Sequence, residues 1–144
     1  KKIESNKLFP TVVLKTDDVE TFDISIITYG GMAQKAVSAA EKKMIQDESS
    51  IQVIIPSQIK PLPEKDILDS INNSKNILIV EEGPKYAGWG SEVSCSIYEN
   101  SNIKYERLIK RIGAAEIPIP SSSTLEKTIL PQEDDILNVL NEII

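Results

Sequence analysis

The sequence predicts an α/β fold: a three-layer α/β/α sandwich around a mostly parallel, five-stranded sheet with one antiparallel strand. Short apolar runs alternate with longer segments of helical periodicity from Phe22 onward. The runs ISIIT, IQVII and NILIV are apolar at almost every position, as expected for strands that helices cover on both faces. The connections between these runs are long enough for the helical crossovers that join parallel strands.

The first two predicted strands are TVVLK (residues 11–15) and ISIIT (residues 24–28). Residues 17–20 have the composition of a turn, so the sequence predicts that these two strands pair antiparallel. Gly30 and Gly31 end the second strand. Alanines and apolar residues at helical spacing then predict a helix over residues 32–45.

The unit of strand and helix repeats in the middle of the chain. IQVII (residues 51–55) is a predicted strand, and residues 56–63 form a crossover bounded by prolines. Residues 64–71 form a predicted helix in which Ile67, Leu68 and Ile71 share one face. NILIV (residues 76–80) is the third strand of the series.

The last part of the chain follows the stretch VEEGPKYAGWGSEV (residues 80–93). It contains a predicted helix over residues 91–98 and a predicted strand over residues 105–112. Pro118, Pro120 and three consecutive serines predict an extended, non-helical segment. Pro131 and the three acids at residues 133–135 predict the start of a final helix, where negative charge opposes the positive end of the helix dipole.

The residue inventory excludes several classes of function. The chain has 144 residues, 40% hydrophobic and 26% charged, which predicts one globular domain. One cysteine and no histidine exclude a usual zinc site and a nucleophile with a histidine base, and Cys95 is expected to be a small buried residue. A net charge of -6 with scattered basic residues argues against nucleic acid and favours a basic protein partner.

No apolar stretch reaches the roughly 20 residues that a membrane helix needs. The start KKIESNKLFP has no apolar core of a signal peptide. The sequence therefore predicts a soluble protein that is not exported by its own signal.

The glycine-rich stretch at residues 80–93 fails two nucleotide-binding motifs. Gly83 and Gly88 have the spacing of a P-loop, but Trp89 stands where the phosphate-binding lysine belongs. Gly88 and Gly90 begin a dinucleotide fingerprint, which Val93 breaks at the third small position. The glycines are better explained by a sharp exit from the strand and close packing of the next helix at Gly90.

The glutamates and aromatic residues of this stretch are expected to be contacts. Glu81 and Glu82 are consecutive, so they point to opposite sides of a strand and are poorly placed to act on one bond. A solvated or interface role is therefore favoured over catalysis. Tyr86 and Trp89 have the amphipathic character that is enriched at interfaces, so we expect them at the surface.

Four stretches in order carry a family resemblance: DISIITYGGMAQKAVSAAE, IKPLPEKDIL, ILIVEEGPKYAGWGSEV and KRIGAAEIPIPSSSTLEKTILP. They resemble the C-terminal domain of the transketolase family, and most closely the β part of thiamine-diphosphate-dependent 2-oxo acid dehydrogenases. The resemblance covers the chain from Asp23 onward. It implies a lead-in over residues 1–22, with a possible edge strand, and a transketolase C-terminal-like domain over residues 23–144.

The resemblance implies a fragment of a longer enzyme that is catalytically inert by itself. It implies no catalytic, cofactor-binding or metal-binding residue in these residues, because thiamine diphosphate and magnesium lie in other domains of the parent. That parent, an oxidoreductase, would decarboxylate a 2-oxo acid and reductively acylate a lipoyl group. It would be cytoplasmic, or in the mitochondrial matrix of a eukaryote.

The role that the resemblance implies for the domain is assembly. Its expected partners are the cofactor-binding domains of the same enzyme, a second copy of the β part, and the basic subunit-binding domain of the acyltransferase core. By position, Glu106 and the terminal Ile144 would take part in the last of these contacts. The expected interface residues are therefore Glu81, Glu82, Tyr86, Trp89, Glu106 and Ile144.

Two alternatives stay open from the sequence. One is a self-contained flavodoxin-like module that binds a nucleotide or small anion where the strands end, since glycines cluster there. The other is the C-terminal domain of transketolase or of deoxyxylulose phosphate synthase, which share this domain.

Overall fold

The computed structural model describes residues 8–100, 107–118 and 120–144. Within those ranges the chain forms five strands and five helices. The strands are β1 (Thr11–Leu14), β2 (Phe22–Thr28), β3 (Ile51–Pro56), β4 (Ser74–Pro84) and β5 (Ile109–Ala114). The helices are α1 (Met32–Asp47), α2 (Glu64–Ile71), α3 (Trp89–Asn100), α4 (Ser123–Ile129) and α5 (Glu133–Ile143).

The strands form one sheet in the order β1-β3-β2-β4-β5. The pairs β2 with β3, β2 with β4, and β4 with β5 are parallel, and β1 pairs antiparallel at the edge. The predicted fold class, a mostly parallel five-stranded sheet with one antiparallel strand, is confirmed.

Two hydrophobic clusters, one on each face of the sheet, join the sheet to a layer of helices on either side. On one face, β2, β3 and β4 pack against α1 and α5 through residues such as Ile26, Ala36 and Leu140. On the other face, the same strands pack against α2 and α3 through residues such as Ile27 and Ile67. Because consecutive residues of a strand point to opposite faces, the nearly continuous apolar run of β2 serves both clusters.

The predicted pairing of the first strand is wrong. β1 pairs with β3, with Thr11 opposite Pro56, and not with β2. Both edges of β2 are occupied by its parallel neighbours β3 and β4, so β1 pairs with the outer edge of β3 instead. The residues of β1 alternate between half-buried and exposed, which is typical of an edge strand with one face in solvent.

The predicted extended segment after Pro118 is partly wrong as well. Pro120 is followed by α4, which begins at the third serine, and the Glu126 N–H donates to the Ser122 carbonyl. Serine favours the position before a helix, and the leucine, glutamate and lysine that follow favour its interior. Pro118 and Pro120 both precede the first residue of α4, so they do not prevent this helix from forming.

Other boundaries differ by a few residues. α2 has the predicted bounds, whereas β4 extends beyond residues 76–80 at both ends and α3 begins at Trp89. The last strand is β5, and the first two residues of its predicted range, Tyr105 and Glu106, lie outside the described residues. Among the described residues, none of the helices combines the length and the hydropathy that crossing a bilayer requires.

Candidate functional site

The features singled out in the sequence meet where the parallel strands end. β2, β3, β4 and β5 run in the same direction, so the loops that follow them lie at one edge of the sheet, here called the carboxyl edge. Glu81 and Glu82 lie near the end of β4, where the pairing register of β4 with β5 shifts between Val80 and Pro84. α1 begins after the loop that follows β2, and α3 begins after the loop that follows β4.

Glu81 is fully buried and binds the start of α3. Its carboxylate accepts a hydrogen bond from the Gly90 N–H at 3.0 Å, and its Oε1 lies 4.0 Å from Nη1 of Arg111. Burial raises the pKa of the Glu81 carboxyl, while the Gly90 N–H and the Arg111 guanidinium oppose that rise. The backbone donor and the positive end of the helix dipole thus compensate part of the cost of a buried carboxylate.

Glu82 binds the start of the other helix. Its carboxylate accepts a hydrogen bond from the Gly31 N–H at 2.9 Å, one residue before α1. α1 and α3 pack on opposite faces of the sheet. The prediction that Glu81 and Glu82 diverge is therefore confirmed, and each one holds a different helix to the end of β4.

The glycines of this region leave room for the two carboxylates. A Cβ atom on Gly31 would stand 2.5 Å from Oε1 of Glu82, and one on Gly90 would stand 2.6 Å from Oε1 of Glu81. A Cβ atom on Gly88 would meet Oε2 of Glu81 at 2.5 Å. The close packing predicted at Gly90 is confirmed. The cradle that resembles a phosphate loop in sequence is thus filled by side chains of the chain itself.

Arg111 on β5 fixes the loop between β4 and α3. Its Nη1 donates to the Lys85 carbonyl at 3.1 Å and to the Ser91 hydroxyl at 2.5 Å. Sequence reasoning missed this residue and Gly113, whose Cβ would meet the Gly83 carbonyl at 2.5 Å. The sequence does show a basic residue, Arg111, in the strand predicted after the glutamates. Only the parallel pairing of β4 with β5 brings Arg111 close to Glu81, and the sequence alone did not predict that contact.

The two aromatic residues of the motif have different surroundings. Trp89 is half-buried, packs on the cluster of the α2 and α3 face, and meets the Tyr29 ring edge-on at a centroid distance of 4.8 Å. Tyr86 is 84% exposed, and its backbone N–H donates to Oε1 of Glu116 at 3.1 Å. The expected surface position thus holds for Tyr86, whereas Trp89 also contributes to the core.

The exposures of Glu81 and Cys95 are the opposite of those predicted from the sequence. The Glu81 side chain is fully buried, so it is not available as a solvated or interface group on the surface of this chain. Cys95 is exposed rather than buried. Its Sγ lies 3.4 Å from Oε1 of Glu99, and that hydrogen bond, more than any other influence, raises the pKa of the thiol. A thiol with a raised pKa is a poor nucleophile.

The last two predicted interface residues lie apart from the carboxyl edge loops. Ile144 follows α5 and is 49% exposed. Glu106 lies outside the described residues. The structure therefore brings Glu81, Glu82, Tyr86 and Trp89 together, and it does not bring Ile144 to them by any described contact.

The hydrogen bonds of Glu81 and Glu82 limit what the carboxyl edge can bind. Helix starts bind anions in many α/β domains, but here the Gly31 and Gly90 N–H groups already bind carboxylates. An anionic ligand would have to displace them. Among the residues that the structure describes, no three histidine, cysteine, aspartate or glutamate side chains lie close enough together to hold a metal ion.

This arrangement defines a class of protein: a doubly wound α/β domain with an antiparallel edge strand, whose own glutamates hold the helix starts at the carboxyl edge. The family described as the C-terminal domain of transketolase matches residues 15–136 of the chain. The chain belongs to that family, and the resemblance noted in the sequence is confirmed.

Curated relatives narrow the class further. The chain is 33% identical over 115 residues to the mitochondrial pyruvate dehydrogenase E1 component subunit beta-1 of Arabidopsis thaliana, covering 80% of this chain and 31% of that protein. It is 32% identical over 120 residues to the pyruvate dehydrogenase E1 component subunit beta of Staphylococcus aureus, covering 83% and 36%. The chain thus spans about a third of the length of these relatives and is related to E1 β subunits of 2-oxo acid dehydrogenases.

Solved structures show the same fold at lower identity. A split-gene transketolase, described as an inactive β4 tetramer, superposes with a TM-score of 0.73 at 21% identity, covering 93% of this chain and 42% of that one. A 2-oxoglutarate:ferredoxin oxidoreductase from Magnetococcus marinus superposes with a TM-score of 0.61 at 16% identity, covering 93% and 19%. The transketolase C-terminal fold is thereby confirmed.

Proposed function

We propose that this chain is the assembly domain of the decarboxylating, lipoyl-acylating component of a 2-oxo acid dehydrogenase. The observation that carries the proposal is the identity of 32–33% with two pyruvate dehydrogenase E1 β subunits over at least 80% of this chain. The parent enzyme would be an oxidoreductase of the cytoplasm or of the mitochondrial matrix.

The parent would use thiamine diphosphate and magnesium, but the residues of this chain do not fit that group. The backbone donors that could bind a diphosphate at α1 and α3 are taken by Glu82 and Glu81. The described residues also offer no cluster of metal ligands. The cofactor would therefore belong to other domains of the parent, and we expect this chain to be inert on its own.

This chain would join subunits and domains of the parent enzyme. The partners we propose are the cofactor-binding domains of the same enzyme, a second β part and the basic subunit-binding domain of the acyltransferase core. The residues we assign to these contacts are Glu82, Tyr86, Trp89, Glu106 and Ile144. The exposure of Tyr86 and the net charge of -6 support this assignment.

The proposal is tested by three preparations: the parent enzyme with its α part, the parent without residues 8–144, and this chain alone. Decarboxylation of straight and branched 2-oxo acids is measured with thiamine diphosphate and magnesium, and subunit composition is measured by analytical ultracentrifugation. We expect turnover from the first preparation alone, and loss of assembly from the second. An intact, well-folded parent without decarboxylase activity, or a truncated parent that still assembles, would contradict the proposal.

A further inference from the structure

The outer edge of β1 is open to a further strand. β1 ends the sheet, so its outer backbone N–H and C=O groups pair with no strand among residues 8–100, 107–118 and 120–144. Natural sheets usually protect such an edge with a charged residue, a proline or a bulge. The sequence TVVL of β1 contains neither a charge nor a proline, and its register with β3 is regular from Thr11 to Leu14.

The opposite edge of the sheet, formed by β5, has the protection that β1 lacks. Lys110 and Arg111 place two charges within β5, and its register with β4 shifts between Val80 and Pro84. The contrast between the two edges of one sheet makes β1 the edge to which a strand can be added.

An apolar groove lies on the α1 side of β1. Its volume is about 260 Å³, and its aliphatic lining consists of Leu14, Val37, Ala40, Met44, Ile51 and Val53. Leu14 is 37% exposed, so the apolar lining of the groove reaches the open edge of the strand. The groove therefore suits an aliphatic side chain from a neighbouring strand.

A polar cleft lies on the α2 side of β1. Its volume is about 540 Å³, and Val13 of β1 and Gln52 of β3 both line it. Among the described residues that line it, the carboxylates of Glu20 and Asp69 outnumber the ammonium group of Lys15. The cleft therefore favours a basic side chain.

Gln52 adds a buried acceptor to the cleft. This side chain is 2% exposed, and its Nε2 donates to the Ser70 carbonyl at 2.7 Å. Because a carbonyl can only accept, that bond fixes the orientation of the amide. The Gln52 Oε1 accepts no hydrogen bond from the part of the chain that the structure describes, so it can accept one from a donor in the cleft.

We propose that the open edge of β1 binds an extended segment of a partner protein by strand addition. Successive side chains of a strand point to opposite faces, so an aliphatic residue would enter the groove and the next, basic residue would enter the cleft. This site is separate from the described interface residues proposed above, none of which lines the groove or the cleft. The inference therefore does not rest on the proposed function.

Charge argues against a second copy of this chain as the occupant. The strand TVVL of a second copy offers no basic side chain to the cleft, and two chains with a net charge of -6 repel each other. A segment in which aliphatic and basic residues alternate meets both requirements of the open edge.

The first test uses a peptide in which valine and lysine alternate over about six residues, the usual length of a strand. Its affinity for the full-length polypeptide that contains this chain is measured by fluorescence anisotropy. The control peptide has the same composition, with the valines and lysines in two separate blocks. We expect the control to bind at least tenfold more weakly. No binding of the alternating peptide, or equal binding of both, would overturn the inference.

Methylation of the peptide backbone separates strand addition from attraction between charges. In a strand, the N–H groups of alternate residues face the same neighbouring strand. Of two peptides, one methylated at the valine nitrogens and the other at the lysine nitrogens, we expect one to lose at least tenfold in affinity and the other less than threefold. Equal losses would refute strand addition.

The second test locates the bound peptide on the sheet. At saturation with the alternating peptide, we expect amide hydrogen exchange over residues 11–14 to slow at least tenfold, while exchange over residues 109–114 of β5 stays unchanged. Protection of neither edge, or of both edges equally, would contradict the assignment to β1. Protection of residues 11–14 that rises with protein concentration in the absence of peptide would assign the edge to a second copy.

Two variants with the same change of charge test the cleft. Glu20 lines the cleft, whereas Glu92 is an exposed acid in the first turn of α3. We expect Glu20→Lys to weaken binding of the alternating peptide at least tenfold and Glu92→Lys to weaken it less than threefold. Equal effects would show that net charge alone attracts the peptide, and the cleft would then have no part in recognition.

Discussion

At the scale of single residues, two adjacent glutamates set the local structure of the carboxyl edge. Glu81 and Glu82 leave the same strand in opposite directions, and each binds the first turn of a helix on a different face. The cost of burying the Glu81 carboxyl is partly offset by the hydrogen bond from the Gly90 N–H and by Arg111, 4.0 Å away. The glycines at these helix starts are then needed for space, since a side chain there would occupy the volume of a carboxylate.

A pair of glycine substitutions tests this requirement for space. In Gly90→Ala, the new Cβ would stand 2.6 Å from Oε1 of Glu81 and 3.0 Å from Cγ2 of Ile79. We expect a net loss of about 1–3 kcal/mol in the free energy of unfolding, as for other overpacked sites. In Gly83→Ala the nearest atom is 4.0 Å away, so we expect no loss and a gain of up to about 1 kcal/mol. Urea unfolding followed by circular dichroism measures both, and equal effects of the two variants would contradict the explanation.

The raised pKa of Glu81 gives a second test at this scale. The folded chain retains this proton at pH values where the unfolded chain has lost it, because burial raises the pKa above its ordinary value of 4.5. The contribution of Glu81 to stability is therefore complete below about pH 4.5 and is lost as the pH rises toward the raised pKa.

Glu81→Gln removes that titration while it keeps an oxygen for the Gly90 N–H. We expect the unfolding free energy of the wild type, minus that of Glu81→Gln, to fall as the pH rises from 4 to 8. Urea titrations of both proteins at each pH measure this difference, in which the other carboxylates cancel. A difference that rises with pH would show that the carboxylate is better stabilised in the folded chain than in water.

At the scale of elements, the strands and helices that depend on local pattern could be predicted, and those that depend on distant neighbours could not. α2 has its predicted bounds because the spacing of Ile67, Leu68 and Ile71 is enough to define it. The pairing of β1 depends on which strand edge is free, which is a property of the whole sheet. The burial of Glu81 likewise depends on Arg111, thirty positions later in the chain. Local sequence therefore indicated the divergence of the glutamates but not their surroundings.

Arg111 holds the loop between β4 and α3 through two hydrogen bonds. Arg111→Lys keeps the charge but replaces the rigid guanidinium, whose Nη1 donates to both the Lys85 carbonyl and the Ser91 hydroxyl, with a flexible and more strongly hydrated ammonium. We expect a loss of about 1–2 kcal/mol in stability and faster hydrogen exchange of the amides at residues 85–88.

The matched control for this loop is Lys110→Ala, at the preceding position of β5. Lys110 forms an exposed ion pair with Glu142, so its removal is expected to cost less than about 0.5 kcal/mol and to leave residues 85–88 unchanged. Exchange rates that respond equally to both variants would show that Arg111 has no special part in ordering the loop.

At the scale of the whole molecule, the charge of the chain bears on the partners that it can meet. A net charge of -6 attracts a basic domain over distances set by the salt concentration. The two glutamates of β4 are engaged with helix starts, whereas acids such as Glu116 are exposed. The exposed charge is thus available for association, while the carboxyl edge is organised by internal contacts.

The net charge should set the rate of that association. If the parent binds the basic subunit-binding domain of an acyltransferase core, attraction between the two charges should speed the encounter more than it slows the separation. Raising the salt from 0.1 M to 1 M shortens the screening length from about 10 Å to about 3 Å. We expect the association rate constant, measured by stopped-flow fluorescence, to fall at least tenfold over that range, and the dissociation rate constant to change much less. An association rate constant that is independent of salt would mean that the acidic surface has no part in the encounter and that apolar contacts alone select the partner.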